Sequence, residues 1–180
     1  MLIPLIFTAL ENQTDRNKII LIYEEYRNLM LYIAMQVLHD RATAEDAVSE
    51  SIEKLIRNIH KVGDVPCYKT RSLVVIIVRN TAINIWKKGK RSDTGKDDEI
   101  EKIADATPLA ADELVSTEGY NKLVAIINSL PDTYRDVAVL SLIHEYSHSD
   151  IAETLGIGYD VVKMRLSRAK KSIREKVMAG

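Results

Sequence analysis

The sequence predicts an all-α protein of two small helical domains, a helical bundle and a helix-turn-helix unit, joined by a flexible acidic linker. Three observations predict it. Leu, Ile, Val and Ala dominate an apolar fraction of 46%, while 180 residues hold only seven Gly and four Pro, which disfavours a turn-rich β fold. Apolar residues recur every three or four positions through several long stretches. A polar, acidic segment then divides those stretches into two groups. The expected division is a domain over 1–91, a linker over 92–116 and a second domain over 117–180.

The first helix is expected from Asn17 to Leu38, on the spacing of Ile19, Ile22/Tyr23, Tyr26, Leu29/Met30, Ile33 and Val37. Upstream, Met1–Leu10 is apolar, too short to span a bilayer and without a basic flank. It reads as a helix packing on the domain, or else as a free end. His39-Asp40-Arg41 breaks the pattern, and Thr43 with Asp46 forms a capping pattern for the second helix. That helix carries Val48, Ser51/Ile52, Leu55/Ile56 and Ile59 inward. Its expected outer face carries Glu45, Asp46, Glu50, Glu53 and Lys54.

Gly63, Asp64 and Pro66 mark a loop over His60–Lys69. Thr70–Lys88 is expected to be the third helix. Its middle, Leu73–Val78, is apolar on every side, so a buried strand competes. Helix is preferred because the pattern continues through Ala82, Ile83 and Trp86. From Gly89 to Thr117 the chain is polar, with a short helix expected near 98–103. Extended at ~3.3 Å per residue, the linker reaches about 80 Å. Two DNA sites two helical turns apart lie about 70 Å from each other.

In the second domain, Glu118–Leu130 is expected to be a helix with Leu123, Ile126/Ile127 and Leu130 inward. Pro131 starts the next, as proline does at a first helical position, and this helix runs to about Glu145. Ser147 with Asp150 is a second capping pattern. The helix behind it ends at Leu155-Gly156-Ile157-Gly158, and a basic amphipathic stretch follows from Tyr159 to Lys176. This is the layout of a helix-turn-helix, whose second helix can lie in the DNA major groove.

The net charge of −1 hides a local asymmetry. Lys163, Arg165, Arg168, Lys170, Lys171, Arg174 and Lys176 make one basic stretch, and Lys87, Lys88, Lys90, Arg91 and Lys96 another. Between them lies the acidic segment. Two basic patches suit a two-point contact with nucleic acid. Cys67 is the only cysteine, so a disulfide framework and a zinc cluster are excluded and a reducing cytosol fits. His39, His60, His144 and His148 lack metal-ligand spacing, and Cys67 has no visible partner for nucleophilic catalysis. The chain is therefore expected to be no enzyme, to carry no cofactor and to work in the cytoplasm.

Three strings give the chain a family resemblance. They are Ala44-Glu45-Asp46-Ala47-Val48-Ser49-Glu50; Val78-Arg79-Asn80-Thr81-Ala82-Ile83-Asn84 before a basic run; and Leu130-Pro131-Asp132-Thr133-Tyr134-Arg135 leading to Asp150–Gly156 and Val162–Ala169. In this order, around an acidic linker, they resemble the extracytoplasmic-function (ECF) group of the sigma-70 family of RNA polymerase sigma factors. The resemblance implies a specificity subunit that binds core RNA polymerase and directs it to promoter DNA. It implies that the first domain (region 2) recognises and melts the −10 element and the second (region 4) reads the −35 element as duplex. An anti-sigma partner that clamps both domains is common in that group, and no residue here points to one. The alternatives are a stand-alone helix-turn-helix regulator and a sigma-like interaction module without promoter activity.

Candidate residues follow. For the −35 duplex they are Ser147, Lys163, Met164, Arg165, Ser167, Arg168, Lys170 and Lys171. Lys163, Met164, Ser167 and Arg168 are expected at base edges or their immediate surroundings, and Arg165, Lys170 and Lys171 at phosphates. For a melted −10 strand they are Tyr68, Arg79, Asn80, Asn84, Trp86, Lys87, Lys88 and Arg91, with the loop Val62–Tyr68 as the family's site for a flipped base. Trp86 and Tyr68 have core packing as the competing reading, and Asn80 a backbone cap. Asp46, Glu50 and Glu53 are expected to meet the polymerase clamp. The chain departs from the family at Asp160-Val161, where Gly-Thr is usual, at Leu73, where an aromatic is usual, and at Asn84, where Asp is usual.

Overall fold

The computed structural model describes Leu10, residues 12–93 and residues 118–179. The expected helix over 1–10, apart from Leu10, which is buried outside any helix, and that near 98–103 lie outside the described residues, as does most of the expected linker. The chain divides into two compact units, 1–106 and 107–180. The regular structure among the described residues is all helical, with no strand.

The first unit contains α1 (Gln13–Leu38), α2 (Arg41–Arg57), a 3₁₀ turn over Ile59–Lys61 and α3 (Tyr68–Asp93). Each of the three helices packs on the other two. Helix α1 starts four residues earlier than the apolar spacing suggested, because Asn12 caps it and accepts from the Thr14 amide at 2.9 Å. It ends at His39, whose φ of 56° places it in the left-handed region. Asp40, not Thr43, then caps α2. The Asp40 carboxylate accepts from the Thr43 amide at 2.9 Å and from its hydroxyl at 2.9 Å. Thr43 is thus the third helical residue rather than the cap.

Leu73–Val78 is helical, and every one of these six side chains is buried. A six-residue run buried on all sides is what a central helix of a small bundle requires. Helix α3 also runs on through Gly89 to Asp93, beyond the expected end at Lys88.

The second unit contains α4 (Glu118–Asn128), α5 (Asp132–Leu142), α6 (His148–Leu155) and α7 (Tyr159–Ala179). Helix α4 stops before Leu130, and Val124 and Ile127 rather than Leu123 are its most buried residues. Pro131 is the cap of α5 rather than its first residue. Its carbonyl accepts from the Tyr134 and Arg135 amides, each at 2.9 Å. Helix α5 ends at Leu142, short of Glu145, which takes a positive φ of 55° and turns the chain toward α6.

The Asp40 cap gives the first unit an acid-sensitive joint. Hydrogen bonds from the Thr43 amide and hydroxyl hold its carboxyl below the usual aspartate range. A lowered folded pKa contributes stability above the unfolded value and loses it as pH falls through the folded one. Asp40→Asn keeps a capping oxygen without that titration. Its urea midpoint is expected to change less on acidification than that of the parent chain.

Candidate nucleic-acid interface

Helices α6 and α7 are set against each other by a tight turn. Ser147 caps α6 in a reciprocal box: the Asp150 amide donates to its hydroxyl at 3.1 Å, and the Ser147 amide donates to the Asp150 carboxylate at 3.0 Å. Gly156 ends the helix at φ 65°, where a side chain would be strained, and the Ile157 amide closes the turn onto the Ala152 carbonyl at 3.0 Å. Just before the cap, burial pushes the Tyr146 phenol far above its ordinary range, and the Asp150 carboxylate adds to the shift.

Helix α7 is held by a narrow arc. Val162, Leu166 and Ala169 are buried, and Leu130 and Ala138 pack against Ala169 with Tyr134 and Ile173 beside them. Lys163, Met164, Ser167, Arg168, Lys170 and Lys171 are all exposed, and Arg165 is half-buried. At 3.6 residues per turn, Asp160, Met164, Ser167 and Lys171 form one line opposite the buried arc. Lys163 and Lys170 flank it on one side, Arg165 and Arg168 on the other. Ser147 is exposed, but its hydroxyl already serves the cap.

Arg168 is not a loose cation. Its guanidinium donates to the Tyr134 hydroxyl on α5 at 3.2 Å. At the far end, Lys176 donates to the Ser129 carbonyl at 3.3 Å and to its hydroxyl at 2.5 Å. Tyr134 and Ser129 lie far from α7 in sequence, so periodicity alone gives no signal for either.

In the first unit the candidate residues of α3 separate by face. Asn80, Asn84, Lys87 and Lys88 lie along one side, while Arg79 and Trp86 lie on the other. Arg79 is a correction: it is only 3% exposed. It continues the all-round buried run before it, so its guanidinium sits inside the bundle and is not presented to a strand. Asn80 donates to the Ile76 carbonyl at 2.8 Å, the backbone alternative left open by the sequence. Trp86 is half-buried, with the Lys90 ammonium 4.2 Å from its ring centroid. Asn84 and Lys87 are half-buried and Lys88 is exposed. The side chain of Arg91 lies outside the described residues.

Tyr68, 44% exposed, opens α3 at the end of the loop. The loop itself is tied down at three points. Lys18 donates to the Val62 carbonyl at 2.9 Å. The Cys67 amide donates to the Tyr26 hydroxyl at 3.3 Å. The Thr70 hydroxyl donates to the Asp64 carbonyl at 2.7 Å. Burial raises the Tyr26 pKa, against the hydrogen bond from Cys67 that lowers it. Gly63, Asp64 and Pro66 stay exposed between these anchors.

On α2, Asp46, Glu50 and Glu53 fall on one face, with Asp46 exposed and the other two half-buried. Lys54 does not belong to that outer face. Its side chain is 10% exposed, pairs with Glu50 at 3.2 Å and donates to the Thr81 hydroxyl of α3 at 3.0 Å. It braces α2 against α3 and holds Glu50 in place.

The comparisons with known proteins meet this geometry in both units. The family model described as Sigma-70 region 2 matches residues 22–92, and that described as Sigma-70, region 4 matches residues 120–173. The chain belongs to the sigma-70 family, in its ECF group. It is 28% identical over 166 residues to the ECF RNA polymerase sigma factor SigW of Bacillus subtilis, covering 87% of each chain. It is 24% identical over 164 residues to RNA polymerase sigma factor SigV of the same organism, covering 91% of this chain and 93% of that one. The ECF RNA polymerase sigma factor SigL of Mycobacterium tuberculosis is 26% identical over 158 residues, with 85% of each chain covered. A solved structure of the sigma factor RpoE from Bartonella quintana, in complex with the anti-sigma factor NepR, is 18% identical. It aligns over 93% of this chain and 98% of that one with a TM-score of 0.39.

Tyr134→Phe keeps the ring packed on Leu130 and Ala138 and removes only the hydroxyl that orients Arg168. The urea midpoint is expected to hold. Affinity for promoter duplex is expected to fall roughly two- to thirteenfold, because binding must then freeze an Arg168 side chain left free, at a cost of about 0.5–1.5 kcal/mol. A titration of duplex binding checks it.

Proposed function

We propose that this sigma factor divides promoter recognition between its two units. Helix α7 enters the major groove of the −35 element. The first unit holds the melted −10 element with Tyr68, the anchored loop before it and the Asn80–Lys88 face of α3. Asp46, Glu50 and Glu53 contact core RNA polymerase. Promoter DNA and core polymerase are thus the partners. The chain supplies no chemistry of its own, and its place of work is the cytoplasm, where polymerase and promoter meet.

The observation that carries this reading is the outward arc of α7. A cationic helix held by three buried residues leaves most of its circumference for a groove. Arg168 supports a base contact because a guanidinium can bridge guanine O6 and N7, and Tyr134 already orders it. Lys163, Lys170 and Arg165 stand on the two flanks, where the phosphate walls of a groove would lie. Lys171 lies on the outer line, but about 16 Å from Asp160 at 1.5 Å per residue, where the groove's phosphates come within reach. The anchored loop supports capture of an unstacked base, since a loop ordered beforehand loses less entropy on binding.

In-vitro transcription with core polymerase tests the division. Arg168→Ala is expected to weaken promoter binding by about 1–3 kcal/mol while core binding stays intact. Loss of core binding as well would remove the DNA assignment. Asp46→Arg is expected to weaken the pull-down of core polymerase, and unchanged retention would sink the clamp assignment. With four phosphate contacts, log affinity for duplex should fall against log salt with a slope of about −3.6.

A further inference from the structure

We propose that the outer line of α7 selects a duplex with a cytosine amine opposite Asp160 and a thymine methyl opposite Met164, about two base pairs apart. This rests on reading α7 as the −35 helix.

Two side chains at the groove-facing start of the helix make the case. Asp160 and Met164 are exposed, Met164 by 45%, and they share the line opposite Val162, Leu166 and Ala169. In a helix-turn-helix the N-terminal residues of the second helix meet base edges. Here that position holds a carboxylate and a thioether rather than two cations. Asp160 is also the only carboxylate between Tyr159 and Arg174.

A carboxylate in the groove accepts and cannot donate. Guanine offers it two acceptors, thymine an acceptor and a methyl, and adenine an acceptor beside its amine. Cytosine alone offers a donor with no acceptor next to it. Every other base presents an acceptor that repels the carboxylate, in adenine against the pull of its amine. Met164 supplies the opposite chemistry. An exposed apolar chain gains by covering the thymine methyl, the one apolar group on the major-groove edges.

Spacing follows from the helix. Four residues at 1.5 Å advance about 6 Å. Base pairs rise about 3.4 Å. The two contacts therefore fall about two base pairs apart when the helix runs along the groove.

Selection from a randomised −35 cassette by holoenzyme, reconstituted from the full chain and core polymerase, tests this. The parent chain should enrich cytosine and thymine at positions within two base pairs. Met164→Ala should lose the thymine preference at least fivefold and keep the cytosine. Asp160→Asn should convert the cytosine preference to adenine, because an amide pairs with adenine N6 and N7. Loss of structure at Asp160 could not produce that exchange. If the parent enriches an upstream sequence that both variants leave unchanged, the inference fails and the −35 assignment stands. If the parent enriches no upstream sequence at all, both fail.

Discussion

A helix that offers most of its circumference to another molecule can be held to its own domain only by a narrow arc. Helix α7 meets this constraint with Val162, Leu166 and Ala169. Burial of a Val or Leu side chain contributes about 1.5–3 kcal/mol. Two such residues and one Ala are a slim hold for a helix of 21 residues. The rest of the second unit reinforces them. Lys176 reaches back to Ser129, and the box at Ser147 and Asp150 fixes α6, against which α7 leans. Helix α3 solves the opposite problem. Leu73–Val78 is buried on every side, so it carries the bundle, and only the two ends of the helix are left for contact.

Order before contact is a second theme. A flexible side chain loses about 0.5–1.5 kcal/mol of freedom when a partner immobilises it. In this chain several candidate groups are already ordered by neighbours from other helices. Tyr134 holds Arg168, Lys54 holds Glu50, and Tyr26 with Lys18 and Thr70 holds the loop before Tyr68. None of these anchors is among the residues the sequence singled out for contact. They hold the groups that were.

That difference shows which parts of the molecule were legible. The cap at Ser147 could be read because both partners lie within four residues. Helix in the apolar run of α3 could be read because the pattern continued past it. Asp40 and Thr43 both make good caps, and the left-handed turn at His39 decided between them. Arg79 follows a run buried all round, and it continues that burial despite its charge. Helical period alone puts Lys54 at the surface, but its long stem reaches Thr81, which lies 27 residues away. Tyr134 and Arg168 are 34 residues apart. Such pairs are set by tertiary packing, which a single sequence does not encode in any local pattern.

Asp160 brings the two themes together. In the first turn of α7 a carboxylate favours the helix, because the unpaired amides there carry partial positive charge; such a contact is worth about 0.3–1 kcal/mol. The same charge opposes phosphates in a groove. A neutral residue at this second helical position would forgo that modest gain and avoid the repulsion. The Gly-Thr usual in the family avoids it as well. A net charge at the foremost position of an otherwise cationic face is therefore costly in contact unless a base edge offers a hydrogen to accept. That cost is what would turn a uniform attraction for duplex into discrimination among sequences, since affinity comes from the flanking cations and the penalty for a wrong base comes from the one acid among them.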